Sequence, residues 1–311
     1  MITHGNGPQV GSLASSQPLE QLSVLDAETQ GMIGLTLANE LDRALSAFAR
    51  PPLGEAPSSS SAATPSPSVC LVTRVVVSES DPAFSLPPTK PIGPGIPRER
   101  AEEEAARAGP AGAPTFVEDA ATPGLVRRAV ASPRPLAVVE IDSIRRLLSP
   151  PESLPASSSA FSCVGPVICG GGGGVPVVAR REGGSGSESS SFDPVEAVID
   201  KDATSGLLAS LLGASALLLL TDAGALYDPG DWEASRREGR APAAVRSPAS
   251  PADVEALLPR LPEGSMRPKA ASAARAAREG IVAGIGSLED AAEILMGTKG
   301  TLVVPPARGG G

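Results

Sequence analysis

Aromatic side chains are scarce in this chain: one Trp, one Tyr and five Phe among 311 residues. A core must therefore be built from Ala, Val, Leu and Ile, and a hydrophobic content of 41% suffices for one. The same scarcity removes the stacking platforms on which single strands of nucleic acid lie. A basic face is missing too. Thirty-five acidic residues outnumber 26 basic ones, for a net charge of −9, so nucleic acid is not an expected partner. The three cysteines, Cys70, Cys163 and Cys169, are too few and too scattered for a disulfide scaffold or a zinc site. Cys70 and Cys169 sit in apolar runs and read as buried thiols of a reducing compartment, which points to the cytoplasm. No basic and apolar leader opens the chain, although organellar targeting stays open. The most apolar window, residues 206–220, falls short of the roughly 20 residues of a membrane helix and is split by Gly213. It reads as core, with no membrane partner.

Strands alternate with helices along the rest of the chain. Ile33, Leu37, Leu41, Leu45 and Phe48 recur at helical spacing and predict a helix over 26–50, with Asp26 as its N-cap. Residues 69–77 predict one strong strand. Residues 81–97 carry six prolines and cannot be regular helix. A charged helix is expected over 98–108, a short strand over 138–141 leading to a helix through Ile144 and Leu148, and a strand over 164–169 ending in five glycines. Low-complexity insertions are read at 51–68, 150–162 and 183–191. From 195 onward the expected order is a strand end at 198–199, a helix over 200–212 and a buried strand over 216–220. Helices over 253–258 and 268–279 follow, then a strand over 281–285, a helix over 288–296 and a strand over 301–304. Such alternation implies an α/β fold whose sheet is mostly parallel and covered on both faces.

Several residues carry candidate chemistry. Residues 3–11 read Thr-His-Gly-Asn-Gly-Pro-Gln-Val-Gly, and Gly5, Asn6 and Gly7 suit a loop that holds a small anion by main-chain donors. Lys201 follows Asp200 at the start of a helix, where the helix dipole is already positive, so it is either a solvated lysine or one placed for a phosphate, with Asp202 to orient it. Lys269 repeats the pattern after Pro268. Two such lysines make a candidate phosphoryl clamp. Gly171 and Gly172 lie in a glycine tract after a strand that can admit phosphate or serve only as a flexible run. No Gly-Lys-Ser/Thr follows, so this is not a Walker loop. Asp222 and Tyr227 leave a buried strand at the edge where α/β sheets bind ligands, or they form an ordinary loop. His4, the one histidine, is assigned a structural role, because phosphoryl transfer asks chiefly for positioning and charge.

In order along the chain, residues 3–11, 27–34, 81–84, 88–94, 132–135, 170–178, 197–202, 220–227, 264–269 and 285–291 resemble the carbamate kinases of the wider amino acid kinase group. The resemblance implies a three-layer αβα sandwich with a mostly parallel central sheet. It implies one domain over 1–311, with a protruding Pro-rich subdomain at 81–135, and a homodimer. It implies reversible phosphoryl transfer between ATP and carbamate, giving ADP and carbamoyl phosphate with Mg²⁺, as in arginine metabolism. By position, Gly5, Asn6 and Gly7 would hold the carbamoyl or phosphoryl group, with Gly171, Gly172 and Arg134 also on the substrate or phosphate side. Lys201 and Lys269 would neutralise the transferring group, Asp202 would orient them, and Asp222, Tyr227 and Met266 would lie near the nucleotide. No residue is assigned to hold a metal. There are departures: Arg267 stands where the family has glycine, and the 221 loop lacks a second aspartate. In the family a Gly-Gly-Asn loop on a first strand precedes the Thr3 stretch, whereas here only Met1 and Ile2 do, so a chain lacking that strand and poor in catalysis is expected. Two other readings stand: another amino acid kinase, such as one acting on acetylglutamate, which residues 88–94 argue against, and a homologue without activity that binds ligand or pairs with an intact subunit.

Overall fold

The computed structural model describes residues 1–17, 21–48, 66–88, 90–108, 113–119, 122–149, 165–181, 190–262 and 264–306. The low-complexity stretches expected at 51–68, 150–162 and 183–191 lie wholly or mostly outside the described residues, as does Cys163. The chain divides into two compact units, Met1–Lys201 and Asp202–Gly311.

The first unit opens with two helices, α1 (Gly7–Ser16) and α2 (Leu22–Phe48). Asp26 is not the N-cap of α2. The helix starts four residues earlier because Glu196, far away in sequence, accepts from the Leu22 amide at 3.0 Å. A remote carboxylate leaves no local capping signal, and Asp26 turns into the core instead. The strand expected at 69–77 is two short ones, β1 (Val69–Cys70) and β2 (Arg74–Val76). The break falls at Thr73, whose amide donates to Gln30 Oε1 at 2.9 Å and whose Oγ1 accepts from the Gly170 amide at 2.9 Å.

A separate antiparallel sheet follows, built from β3 (Lys90–Pro97), β4 (Thr115–Glu118) and β5 (Leu125–Val130) in the order β3-β5-β4, with α3 (Arg98–Ala108) between β3 and β4 in sequence. The prolines of β3 are tolerated because it is an edge strand. Next come β6 (Ala137–Val138), α4 (Ile141–Leu148), β7 (Val167–Ile168), β8 (Val175–Arg181) and β9 (Ser190–Pro194). β7 pairs in parallel with β1, and Ile2 bridges in parallel to Ile168 of β7. β2 and β8 pair in parallel, with antiparallel β6 and β9 at the margins. One core cluster gathers Val10 and Ala14 of α1, Leu22 and Leu25 of α2, Ile92, Val130 and Val198. α1 lies on β3 backbone to backbone: a Cβ on Gly11 would come within 1.8 Å of Gly93.

α5 (Lys201–Leu212) begins at the last residue of the first unit. The second unit then holds β10 (Ala216–Thr221), α6 (Pro229–Glu238), α7 (Pro251–Leu257), α8 (Met266–Arg278), β11 (Val282–Ser287), α9 (Ala291–Leu295) and β12 (Thr301–Val303). β10 and β11 pair in parallel over six residues, and β12 closes the far edge antiparallel. Ala270, Ala273, Ala274 and Ala277 of α8 pack in one core cluster with Leu217, Leu219, Ile285 and Val303, so small side chains replace the missing aromatics. α6 carries its signals in full, Asp228 as N-cap, Pro229 at the first position and Gly239 as a left-handed C-cap, yet the reading above passes over it. α8 starts at Met266, so Pro268 is its third residue, still in the first turn where no donor is lost.

Candidate active site

In the first unit the N-terminal residues run beside β7. Ile2 donates its amide to the Val167 carbonyl at 2.8 Å, and its own carbonyl accepts from Cys169 at 3.0 Å. The His4 carbonyl accepts from the Gly172 amide at 2.7 Å. The chain then turns into α1, so the expected loop ends at Asn6 and Gly7 is already helical. Gly171 sits against the His4 ring, and a Cβ there would come within 2.4 Å of it. Gly172, at φ +66°, lies on the amide plane of Asn6, where a Cβ would come within 2.2 Å. Gly171 and Gly172 are buried, so their tract forms a tight packed turn and the Gly172 amide is occupied.

Asn6 is 2% exposed and occupies the N-cap position of α1, but its side chain makes no capping bond. It points inward instead. Nδ2 donates to Thr29 Oγ1 at 2.9 Å and to Asp26 Oδ1 at 3.3 Å. Among the described residues nothing accepts from the Gly7 and Gln9 amides, and Pro8 has none to offer. The start of α1 thus presents free donors at the positive end of a helix, the arrangement that attracts a small anion. The Lys201 stem runs past Gly5: a Cβ on Gly5 would lie 3.3 Å from Lys201 Cδ. Beside Lys201, Asp200 Oδ2 accepts from Lys90 Nζ at 2.5 Å, a half-buried pair that ties β3 to the start of α5. Arg134 is exposed, and its backbone amide donates to Asp81 Oδ2 at 2.9 Å.

In the second unit Lys269 and Asp202 form a buried ion pair, Nζ to Oδ2 at 3.0 Å. Asp222 is exposed at the end of β10 and accepts from Thr221 Oγ1 at 2.9 Å. The Tyr227 ring lies 5.3 Å from that of Trp232, and Met266 packs half-buried on the alanine-rich core. Asp228 caps α6 and pairs with Arg260 at 2.6 Å, and that guanidinium holds its carboxyl below the usual range. Arg267 is helical with negative φ, so it does not strain the turn where the family has glycine. Its guanidinium donates to the carbonyls of Leu261 at 3.0 Å and Pro259 at 3.3 Å.

Sequence reasoning missed the pairing of Lys90 with Asp200 and the Asn6–Thr29–Asp26 contacts. Both join residues at least 20 positions apart, and only the apolar neighbours of Asp26, Leu22 and Leu25, hint at its burial. A cavity of about 680 Å³ opens between α1, β3, α3 and β4, lined in part by Ala14, Ile92, Pro94, Phe116 and Arg128. None of the expected site residues lines it.

No protein-family model matches the chain. Whole-chain comparisons do match. The carbamate kinase of Haemophilus influenzae is 35% identical over 316 residues, covering 99% of this chain and 84% of that protein. A crystal structure from Aeropyrum pernix K1 superposes with a TM-score of 0.74 at 34% identity, over 98% of this chain and 85% of that one. The carbamate kinase of Giardia lamblia bound to AMP-PNP superposes with a TM-score of 0.69 at 28% identity, over 98% of this chain and 84% of that one. The architecture is the α/β fold of the carbamate kinases, and the chain belongs to the carbamate kinase family.

Proposed function

We propose that this protein transfers a phosphoryl group reversibly between ATP and carbamate, giving ADP and carbamoyl phosphate. The observation that supports the reading most directly is the uncapped start of α1, with the Lys201 stem lying along Gly5. Phosphoryl transfer needs little covalent help from a protein; it needs the reactants positioned and the charge on the transferring oxygens balanced. In this reading the main-chain donors at Gly5, Asn6 and Gly7 receive an oxyanion of the carbamoyl or phosphoryl group, and the Asn6 side chain holds the loop rather than the ligand. Gly171 and Gly172 support the phosphate side by fixing the His4 and Asn6 segment. Lys201 and Lys269 supply compensating charge. Asp202 fixes the Lys269 ammonium, while Arg134, exposed, is free to approach substrate.

Asp222, Tyr227 and Met266 are assigned to the nucleotide. The donor chemistry fits ATP: free amides at a helix start, lysines, and an exposed carboxylate. When bound, ATP supplies the phosphoryl group and ADP the leaving group. Among the described residues no group of three His, Cys, Asp or Glu side chains is arranged to hold a metal ion. A Mg²⁺ ion would therefore be held chiefly by the nucleotide phosphates with one or two carboxylates, which is its usual mode. A homodimer is part of the same proposal, to be checked by light scattering.

The test is ATP formation from carbamoyl phosphate and ADP. Acetylglutamate, aspartate and UMP offered with ATP should give no product. A clear rate with any of these three, and none with carbamoyl phosphate, would move the chain to another branch of the amino acid kinases.

A further inference from the structure

Asparagine is among the best N-cap residues, because its side-chain oxygen accepts from the second or third amide of the helix. At α1 that amide belongs to Gln9. An Asn6 side chain in the capping position would place its oxygen where an anion must go. The structure holds it elsewhere, and the groups that do so are Thr29 Oγ1 and Asp26 Oδ1. Thr29 already donates its own hydroxyl proton within α2, to the carbonyls of Leu25 and Asp26. Among the described residues the Asp26 carboxyl makes no other hydrogen bond, and its Oδ2 has no partner at all. It is 3% exposed.

We propose that Asp26 is a positioning residue for the glycine loop: as an uncharged acid it holds the Asn6 amide inward and so keeps the start of α1 open to an anion. The inference rests on the reading of that helix start as the oxyanion site. An ionised carboxylate would be expensive at this place, with one neutral donor, one bare oxygen and, among the described residues, no basic partner. Among the described residues the titratable neighbour whose charge acts on it is Glu196, which carries the same sign. Burial, chiefly, pushes the carboxyl up to about 8, so it keeps its proton at neutral pH. Asp26 therefore serves as a neutral acceptor, a task that asparagine can perform equally well.

Sulfate is the probe, titrated by calorimetry at pH 6.5 into the wild-type chain and variants whose melts show them folded. Asp26→Asn should bind sulfate within about twofold of wild type. Asp26→Leu, which fills the space and removes the acceptor, should bind about fivefold more weakly, the equivalent of one N-cap interaction of ~1 kcal/mol regained by Asn6. Asp26→Ala serves in its place should Leu fail to fold. With Asn6→Ala as background no capping side chain remains, and the same Asp26 change should cost nothing further, as coupling through Asn6 requires. The proposal is overturned by wild-type affinity in Asp26→Leu or Ala, by a loss in Asp26→Asn as deep as theirs, or by an effect that persists without Asn6. Absence of sulfate binding by the wild type overturns it differently, by removing the oxyanion site itself; that result is told apart because no variant comparison is then needed. Since no turnover is measured, failure of the carbamate reaction alone leaves the sulfate result intact.

Discussion

Lys269 Nζ lies 3.0 Å from Asp202 Oδ2, and both side chains are more than nine-tenths buried. One residue opens the second turn of α8 and the other sits in the first turn of α5, so the pair joins two helices of the second unit. A buried pair is worth little compared with an apolar replacement, but removing one partner strands the other charge, at a cost of about 3–5 kcal/mol. Lys269→Ala should therefore lower the melting temperature markedly as well as abolish turnover. Asp202→Asn should show the same kind of loss. Melts within a degree of wild type for both would remove the pair from the structural account.

Lys201 is expected to behave differently. Its stem lies against Gly5 at the start of α5, half-buried, and it opposes the local helix dipole. Lys201→Ala should leave the melt nearly unchanged while ATP formation from carbamoyl phosphate falls by at least about a hundredfold, the scale for losing one preorganised charge. Full activity would exclude the assigned role.

Asp26 makes stability depend on pH. Its carboxyl titrates at about 8 when folded, raised from an ordinary value of 3.8. Between these values the folded chain holds a proton that the unfolded chain has released, so stability falls as pH rises through that window and levels off above it. Each pH unit crossed carries up to about 1.4 kcal/mol. Asp26→Asn should match or trail wild type near pH 4 and exceed it by several degrees at pH 8.5. Thermal melts across that range measure the difference, and parallel curves for the two proteins would contradict it.

Arg267 donates to the carbonyls of Leu261 and Pro259 from within the first turn of α8. Restoring the family's glycine removes both bonds and adds a poor helix former. Arg267→Gly should destabilise by about 1–2 kcal/mol, with no gain in turnover, because no strained backbone is relieved. An increase in turnover would show that the guanidinium obstructs the loop in solution.

Much of the local structure was legible in the residues. Periodicity and charge predict α3 at its observed bounds, the valine- and leucine-rich runs predict β10 and β11 to within a residue or two, and low aromatic content predicts the alanine-lined core of α8. The resemblance carried by residues 3–11 and 88–94 points to the family that the whole-chain comparison shows. Local pattern has no access to partners far away in sequence. Glu196, more than 170 positions away in sequence, accepts from the Leu22 amide where α2 begins. Thr73, held by Gln30 and the Gly170 amide, divides a run of β-branched residues into strands that join different sheets. The glycine loop shows the limit most clearly. Its composition suits an anion, but whether Asn6 caps α1 or leaves it open depends on acceptors at Asp26 and Thr29. Those acceptors reach Asn6 only because α1 and α2 pack together around Val10, Leu22 and Leu25, where burial makes an unpaired amide too costly to leave.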